Sequence, residues 1–215
     1  MSSSFYSETY DQARIRFRSA AAEAGAQLAC YDLGHEGTDG LSIDVAVVGR
    51  ESDPTIMVSS GVHGVEGFFG SAIQLALLES LDERSTAESV RYVLVHGLNP
   101  FGFANLRRVN EDNVDLNRNF LDDDGGLPEV PELYSRLNGL LNPESPPPRL
   151  DASRLSLLMA LLRFGRNPIK RAVAGGQYGF PRGLFFGGSK ASRGTAIVRE
   201  NCSSWFGSNE TVLHI

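Results

Sequence analysis

Thr55-Ile56-Met57-Val58-Ser59-Ser60-Gly61-Val62-His63-Gly64-Val65-Glu66-Gly67 joins a short apolar run to a glycine-rich turn that carries an imidazole and a carboxylate three residues apart. The apolar run reads as a strand that begins after the Asp53-Pro54 turn. Phe68 to Leu81, which follows, reads as a largely buried helix. Upstream, Leu41 to Val48 alternates around Ile43, Val45 and Val47 and reads as a strand. Downstream, Val90 to Val95 is a further β-rich run, ending at His96-Gly97-Leu98-Asn99-Pro100. This order of strand, turn, helix and strand predicts a layered α/β sheet with helices on its faces. Sites in such sheets gather at the carboxyl ends of strands. His63 and the stretch from His96 to Gly102 both fall there, so they are expected along one edge of the sheet.

Around this centre, Tyr6 to Ala26 repeats apolar residues at helical spacing through Ala13, Phe17, Ala20, Ala21 and Ala24. From residue 122 to 150, Asp122-Asp123-Asp124-Gly125-Gly126 and Pro146-Pro147-Pro148 bracket a short helix over Glu132 to Leu141, read as a surface excursion and not a domain boundary. Arg154 to Phe164 is a leucine-rich helix and Gly175 to Gly188 a glycine-rich loop. Thr195 to Phe206 is a last helix, and Thr211 to Ile215 a final strand. With 215 residues, the expected organisation is one domain over 1–215.

Composition narrows the class. A hydrophobic share of 41% and a charged share of 21% are ordinary for a globular chain. A net charge of −6 argues against nucleic acid, which favours clustered positive charge. No apolar run reaches the roughly 18 residues of a membrane span. The polar stretch Met1 to Asp11 lacks the pattern of a secretory signal. The expectation is a cytoplasmic protein with no membrane or nucleic-acid partner. Cys30 and Cys202 are expected as buried or half-buried free thiols.

His63 and Glu66 carry two readings. An imidazole nitrogen and a carboxylate both bind zinc at about 2.0–2.2 Å, and a catalytic zinc takes three protein ligands and a water. The alternative is a surface histidine beside a glutamate that favours a helix N-terminus. Further along, Asp115-Leu116-Asn117-Arg118-Asn119-Phe120 offers a guanidinium fork and an amide suited to a carboxylate. Taken alone, Arg118, Arg107 and Arg108 read first as ordinary salt-bridge partners of Glu111, Asp112 or Asp115. His35 and His96 read as structural, and His214 lies on the final strand.

Taken in order, several motifs carry a family resemblance. They are Gly61-Val62-His63-Gly64-Val65-Glu66-Gly67, Asn99-Pro100-Phe101-Gly102-Phe103, Arg108-Val109-Asn110 and Val114-Asp115-Leu116-Asn117-Arg118-Asn119-Phe120. The set resembles the M14 zinc carboxypeptidase superfamily, and most of all its DUF2817 branch, related to succinylglutamate desuccinylase and aspartoacylase. Gly176-Gln177-Tyr178 and Gly183-Leu184-Phe185-Phe186-Gly187-Gly188 resemble that branch as well. The resemblance implies a three-layer mixed-sheet zinc-carboxypeptidase-like (phosphorylase/hydrolase-like) fold, here with an incomplete C-terminal part. It implies His63 and Glu66 as zinc ligands and Arg108 as the catalytic arginine that polarises the scissile carbonyl. Asn117 and Arg118 would hold the substrate's terminal carboxylate.

The family's third ligand is a histidine on a later strand, in a segment like Asp-x-His-Thr-Gly. Thr211-Val212-Leu213-His214-Ile215 resembles the start of that strand, with the ligand, the general-base glutamate and the capping tyrosine further on. His214 would serve only in a shifted register. The expected chain is an N-terminal portion or a shortened copy of a hydrolase. Its parent activity would be metallopeptidase cleavage of a peptide next to a free carboxylate. The alternatives are an N-acyl amino-acid deacylase and a non-catalytic module that binds carboxylates. Alone, the chain is expected to bind zinc weakly and hydrolyse little. A final strand left at a sheet edge would invite pairing with another chain, so an oligomer is left open.

Overall fold

The computed structural model describes residues 5–34, 36–84, 90–121, 125–145, 152–207 and 212–214, with backbone alone at 82–84, 212 and 214. His35 lies outside the described residues, as does part of the excursion expected over 122–150. The chain divides into two compact units, residues 1–111 with 193–215, and residues 112–192.

The first unit is a mixed α/β layer structure. Its five strands are β1 (Gln27–Asp32), β2 (Ser42–Val48), β3 (Thr55–Ser59), β4 (Arg91–His96) and β5 (Val212–His214), in the order β1-β2-β4-β3-β5. β1 and β2 run antiparallel to their neighbours, while β4, β3 and β5 run parallel to one another. The β3–β4 crossover runs through α2 (Gly67–Arg84), as a parallel pair requires.

Two helices cover one face and one covers the other. Phe17 and Ala21 of α1 (Tyr10–Glu23) and Leu75 and Leu78 of α2 pack with Ala46 and Leu94 of the sheet. On the opposite face, Ile43, Val45, Met57, Val93 and Val95 meet Ile197 and Trp205 of α7 (Arg193–Phe206). The central strands are buried on both faces, and each of these fully buried aliphatic side chains contributes about 1.5–3 kcal/mol. The expected three-layer mixed sheet is therefore present. A short helix, α3 (Pro100–Ala104), closes the end of β4.

β1, α3 and the helix over 166–174 were not read from the sequence. β1 was not foreseen because its Gln, Ala and Cys positions lack β-branched residues, and as an edge strand it is largely exposed. Cys30 accordingly sits exposed on β1, not buried as expected, while Cys202 is half-buried and both are free thiols. α2 is largely buried, as expected, with Phe69 and Ile73 60% and 46% exposed on its outer side. Only one stripe of an apolar helix can face the sheet.

The second unit holds α4 (Glu132–Leu141), α5 (Ser153–Phe164) and α6 (Arg166–Ala174), with loops on either side. Arg166 to Ala174 is helical although Pro168 falls inside it; Pro is tolerated in a first turn, where its missing N–H has no helical partner. The glycine-rich stretch after it is pinned by the Gln177–Phe186 bridge.

Candidate functional site

The carboxyl ends of β3 and β4 are tied together residue by residue. Leu98 N–H donates to Ser60 O at 2.9 Å and Asn99 N–H to Gly61 O at 2.8 Å. Gly61 takes φ +71°, a conformation that a side chain would strain, and this turns the chain out of β3. A 3-10 turn over Gly64–Glu66 follows, capped by an extended His63. Gly64 lies directly on the next layer, and a Cβ there would overlap the Gly102 carbonyl and the Phe103 amide of α3. The spacing of glycines in the opening motif thus reflects close backbone approach, as well as chain reversal.

This turn aims two side chains at one point. His63 Nδ1 stands 3.1 Å from Glu66 Oε2, with the His63 side chain 12% exposed and that of Glu66 70%. A tetrahedral zinc at about 2.0–2.2 Å from a nitrogen and an oxygen holds them roughly 3.4 Å apart. The pair stands at hydrogen-bond distance, and an opening of a few tenths of an ångström would give it two positions of a zinc shell. Among the described residues no group of three His, Cys, Asp or Glu is positioned to hold a metal ion. The set fits zinc as a half-site and does not complete it.

Gln74 was missed by the sequence reading and is central to this edge. It is fully buried on α2; Nε2 donates to Val58 O at 2.9 Å and Val95 O at 3.0 Å, and Oε1 accepts from Ser60 Oγ at 2.9 Å. It bridges the two parallel strands where their ladder ends. The available signal was one amide inside an otherwise apolar helix stripe between Ser71 and Leu78. Asn99 is the second such residue. Its Oδ1 accepts from Gly102 N at 2.9 Å and caps α3, while its Nδ2 donates to Arg108 O at 3.2 Å. The exposed Arg108 is thereby held by its backbone to the end of β4.

His96 is structural, as the sequence reading had it. It is fully buried, stacked on Phe17 with centroids 4.6 Å apart, and its Nε2 lies 3.0 Å from Ser71 Oγ. Burial pushes its pKa down to about 4. Asp44, opposite His96 in the β2–β4 ladder, is gripped by Arg18 at 2.7 and 2.9 Å. Ser71 and His96 are bonded to each other in the core, but His96 Nδ1 has no hydrogen-bond partner among the described residues and Asp44 is held by Arg18 and Ser42, so the three do not form a nucleophilic triad. Of His214 only the backbone is described, opposite Met57 in the β3–β5 ladder.

In the second unit, the Asp115–Asn119 stretch forms a 3-10 turn over Leu116–Arg118, capped by the Asp115 carboxylate accepting from Asn117 N at 3.1 Å. Asn117 is exposed and Arg118 half-buried. Arg118 Nη2 donates to Ala174 O at 2.8 Å and Nη1 to Asn117 O at 3.3 Å, and its buried Nε has no partner among the described residues. The Arg118 fork is thus tethered by neutral carbonyls, and its charge is not spent on the carboxylates that the salt-bridge alternative named. Gly176 leaves room for it, since a Cβ there would come within 2.7 Å of Arg118 Cδ. Asn119 is fully buried and fixes the segment by donating to Gly187 O at 2.8 Å and Lys190 O at 2.9 Å.

The family described as "Protein of unknown function (DUF2817)" matches over residues 6–215. The chain belongs to that family. The DUF2817 chain is similar in structure to carboxypeptidase A from Helicoverpa armigera, at 20% identity and TM-score 0.46, covering 57% of this chain and 36% of that one. It is also similar to bovine thrombin-activatable fibrinolysis inhibitor in complex with tick carboxypeptidase inhibitor, at 15% identity and TM-score 0.43, covering 56% and 46%. A third likeness is to a structure from Shewanella frigidimarina described as a candidate succinylglutamate desuccinylase/aspartoacylase, at 22% identity and TM-score 0.39, covering 55% and 33%. This chain spans less than half the length of each of these three structures. No curated protein matches it.

Proposed function

We propose that this DUF2817 chain contributes a metal half-site and anion-holding groups to a zinc-dependent amide-bond hydrolase of carboxypeptidase type. The observation that carries this reading is the 3.1 Å approach of His63 Nδ1 to Glu66 Oε2 on a turn fixed to the ends of two parallel strands. Zinc in a three-donor site activates a water for attack on a carbonyl. Because the described residues supply two donors, no hydrolytic step is assigned to them. Arg108, held by Asn99, would offer positive charge to a developing oxyanion. Asn117 and Arg118 would hold a free carboxylate, Arg118 through a planar fork that matches two carboxylate oxygens.

The half-site also favours a second reading, a module that binds carboxylate ligands without turnover. Zinc titration followed by calorimetry, with a panel of peptides and N-acyl amino acids as substrates, separates the two. Weak zinc binding that is lost in His63→Ala supports the half-site. Cleavage of N-acyl amino acids in preference to peptides would select the deacylase alternative. Zinc binding unchanged in His63→Ala would remove the proposal's foundation.

A further inference from the structure

Residues 152 to 199 contain nine Lys or Arg and no Asp or Glu, within a chain whose net charge is −6. The positive charge is therefore segregated, and α5 and α6 carry five of these residues: Arg154, Arg163, Arg166, Lys170 and Arg171, all exposed. α5 also exposes its apolar side. Leu162, Leu155, Met159 and Leu158 are 73%, 62%, 59% and 51% exposed, and the one buried residue of the helix is Ala160. At about 100° per residue, those four side chains share one face, on the side away from Ala160. Arg154 and Arg163 fall on its two flanks. A helix packed for water keeps its apolar stripe inward and its charges outward; α5 keeps its arginines outward but turns its leucines outward with them, Leu157 and Leu161 included at 44% and 36% exposed.

Against the sequence expectation of no membrane partner, we propose that the α5–α6 face docks on the surface of a membrane carrying anionic lipid. An apolar face flanked by cations on either side suits a helix lying in the headgroup plane, with leucines immersed and arginine stems reaching back to phosphates. No helix among the described residues is long and apolar enough to cross a membrane, so α5 lies on the surface and does not span it. α6 adds an open depression lined by Asn167, Lys170 and Arg171, which offers donors to lipid phosphates. A second copy of the chain fits this face less well. Two α5 helices paired antiparallel about Leu158 and Met159 would bring Arg154 of each beside Arg163 of the other, and like charges oppose that contact. The inference is independent of the amide-hydrolase reading.

The test is co-sedimentation of the whole chain with vesicles of phosphatidylcholine alone and of phosphatidylcholine with phosphatidylserine. Binding to the anionic vesicles is expected, weakening as salt is raised because surface charge is screened. Arg154→Glu/Arg163→Glu is expected to weaken it at least tenfold, at roughly fivefold for each cation removed. Leu158→Ser/Leu162→Ser is expected to abolish it; both pairs are exposed, so each variant should keep the wild-type thermal midpoint. Absence of binding to anionic vesicles at low salt overturns the proposal. So does binding that both variants retain, or a concentration-dependent dimer that Leu158→Ser/Leu162→Ser dissolves, which would seat a second copy on α5.

Discussion

His63 Nδ1 faces Glu66 Oε2 across 3.1 Å, on one 3-10 turn at the end of β3. The turn brings both donors to one point within four residues of chain, seated against α3. Zinc is expected to bind weakly with one ion per chain, and both His63→Ala and Glu66→Gln are expected to weaken it by at least about tenfold. Calorimetric titration checks this. Tight binding that survives either substitution would put the metal elsewhere.

Gly64 has no room for a methyl group because the Gly102 carbonyl and Phe103 amide occupy its place. Gly64→Ala must push the turn off α3. It is expected to lower stability by about 1–3 kcal/mol, as overpacking does, and to weaken zinc binding together with it. Urea unfolding and zinc titration on the same sample should move in concert. A stable Gly64→Ala protein with intact zinc binding would show that the close approach is not needed.

Gln74 satisfies two carbonyls and a hydroxyl at the split between β3 and β4. Gln74→Leu keeps the volume and removes all three bonds; Val95 O keeps its bond from Ser60 N–H, while Val58 O and the Ser60 hydroxyl each lose a partner at about 1–3 kcal/mol. The expected loss is at least about 2 kcal/mol in urea unfolding. Gln74→Glu is expected to fare no better, since a carboxylate cannot donate to Val58 and Val95.

Arg18 is the hydrogen-bonded counter-ion of the fully buried Asp44, at 2.7 and 2.9 Å. Arg18→Ala strands a carboxylate in the core and is expected to cost about 3–5 kcal/mol. Pairing it with Asp44→Asn should restore part of that loss, giving a coupling energy in a double-mutant cycle. Purely additive losses would mean that the two side chains act independently.

His96 gives the fold a pH dependence. Its pKa is about 4 in the folded chain, against an ordinary value of 6.5, because burial disfavours the charged ring. Between those values the unfolded chain binds a proton that the folded chain does not. This contribution to stability is complete above pH 6.5 and is lost as pH falls toward 4, by about 3 kcal/mol in all. Urea unfolding measured from pH 7.5 to 4.5 should show the fall, and His96→Phe should flatten it.

The periodic elements were legible in the sequence for a physical reason. β2, β3 and β4 are rich in Val and Ile and bounded by turn residues, and α1, α4, α5 and α7 repeat apolar residues at helical spacing. β1 was not legible, because an exposed edge strand needs no apolar pattern, and nor was α6, which carries Pro168 inside it. At the site, spacing alone could place His63 and Glu66 on one turn, since three residues of chain confine them. The mutual distance of their donor atoms was beyond it.

The sequence by itself determined the family, the turn that carries His63 and Glu66, and the order along the chain of the strands and helices other than β1, α3 and α6. These depend on local backbone preference and near neighbours. Only the tertiary structure decided that Gln74 and Asn99 hold the site edge together, that Asp44 faces His96, and that the leucines of α5 point outward. Each depends on which face of an element meets another, a choice made by packing between residues far apart in the chain.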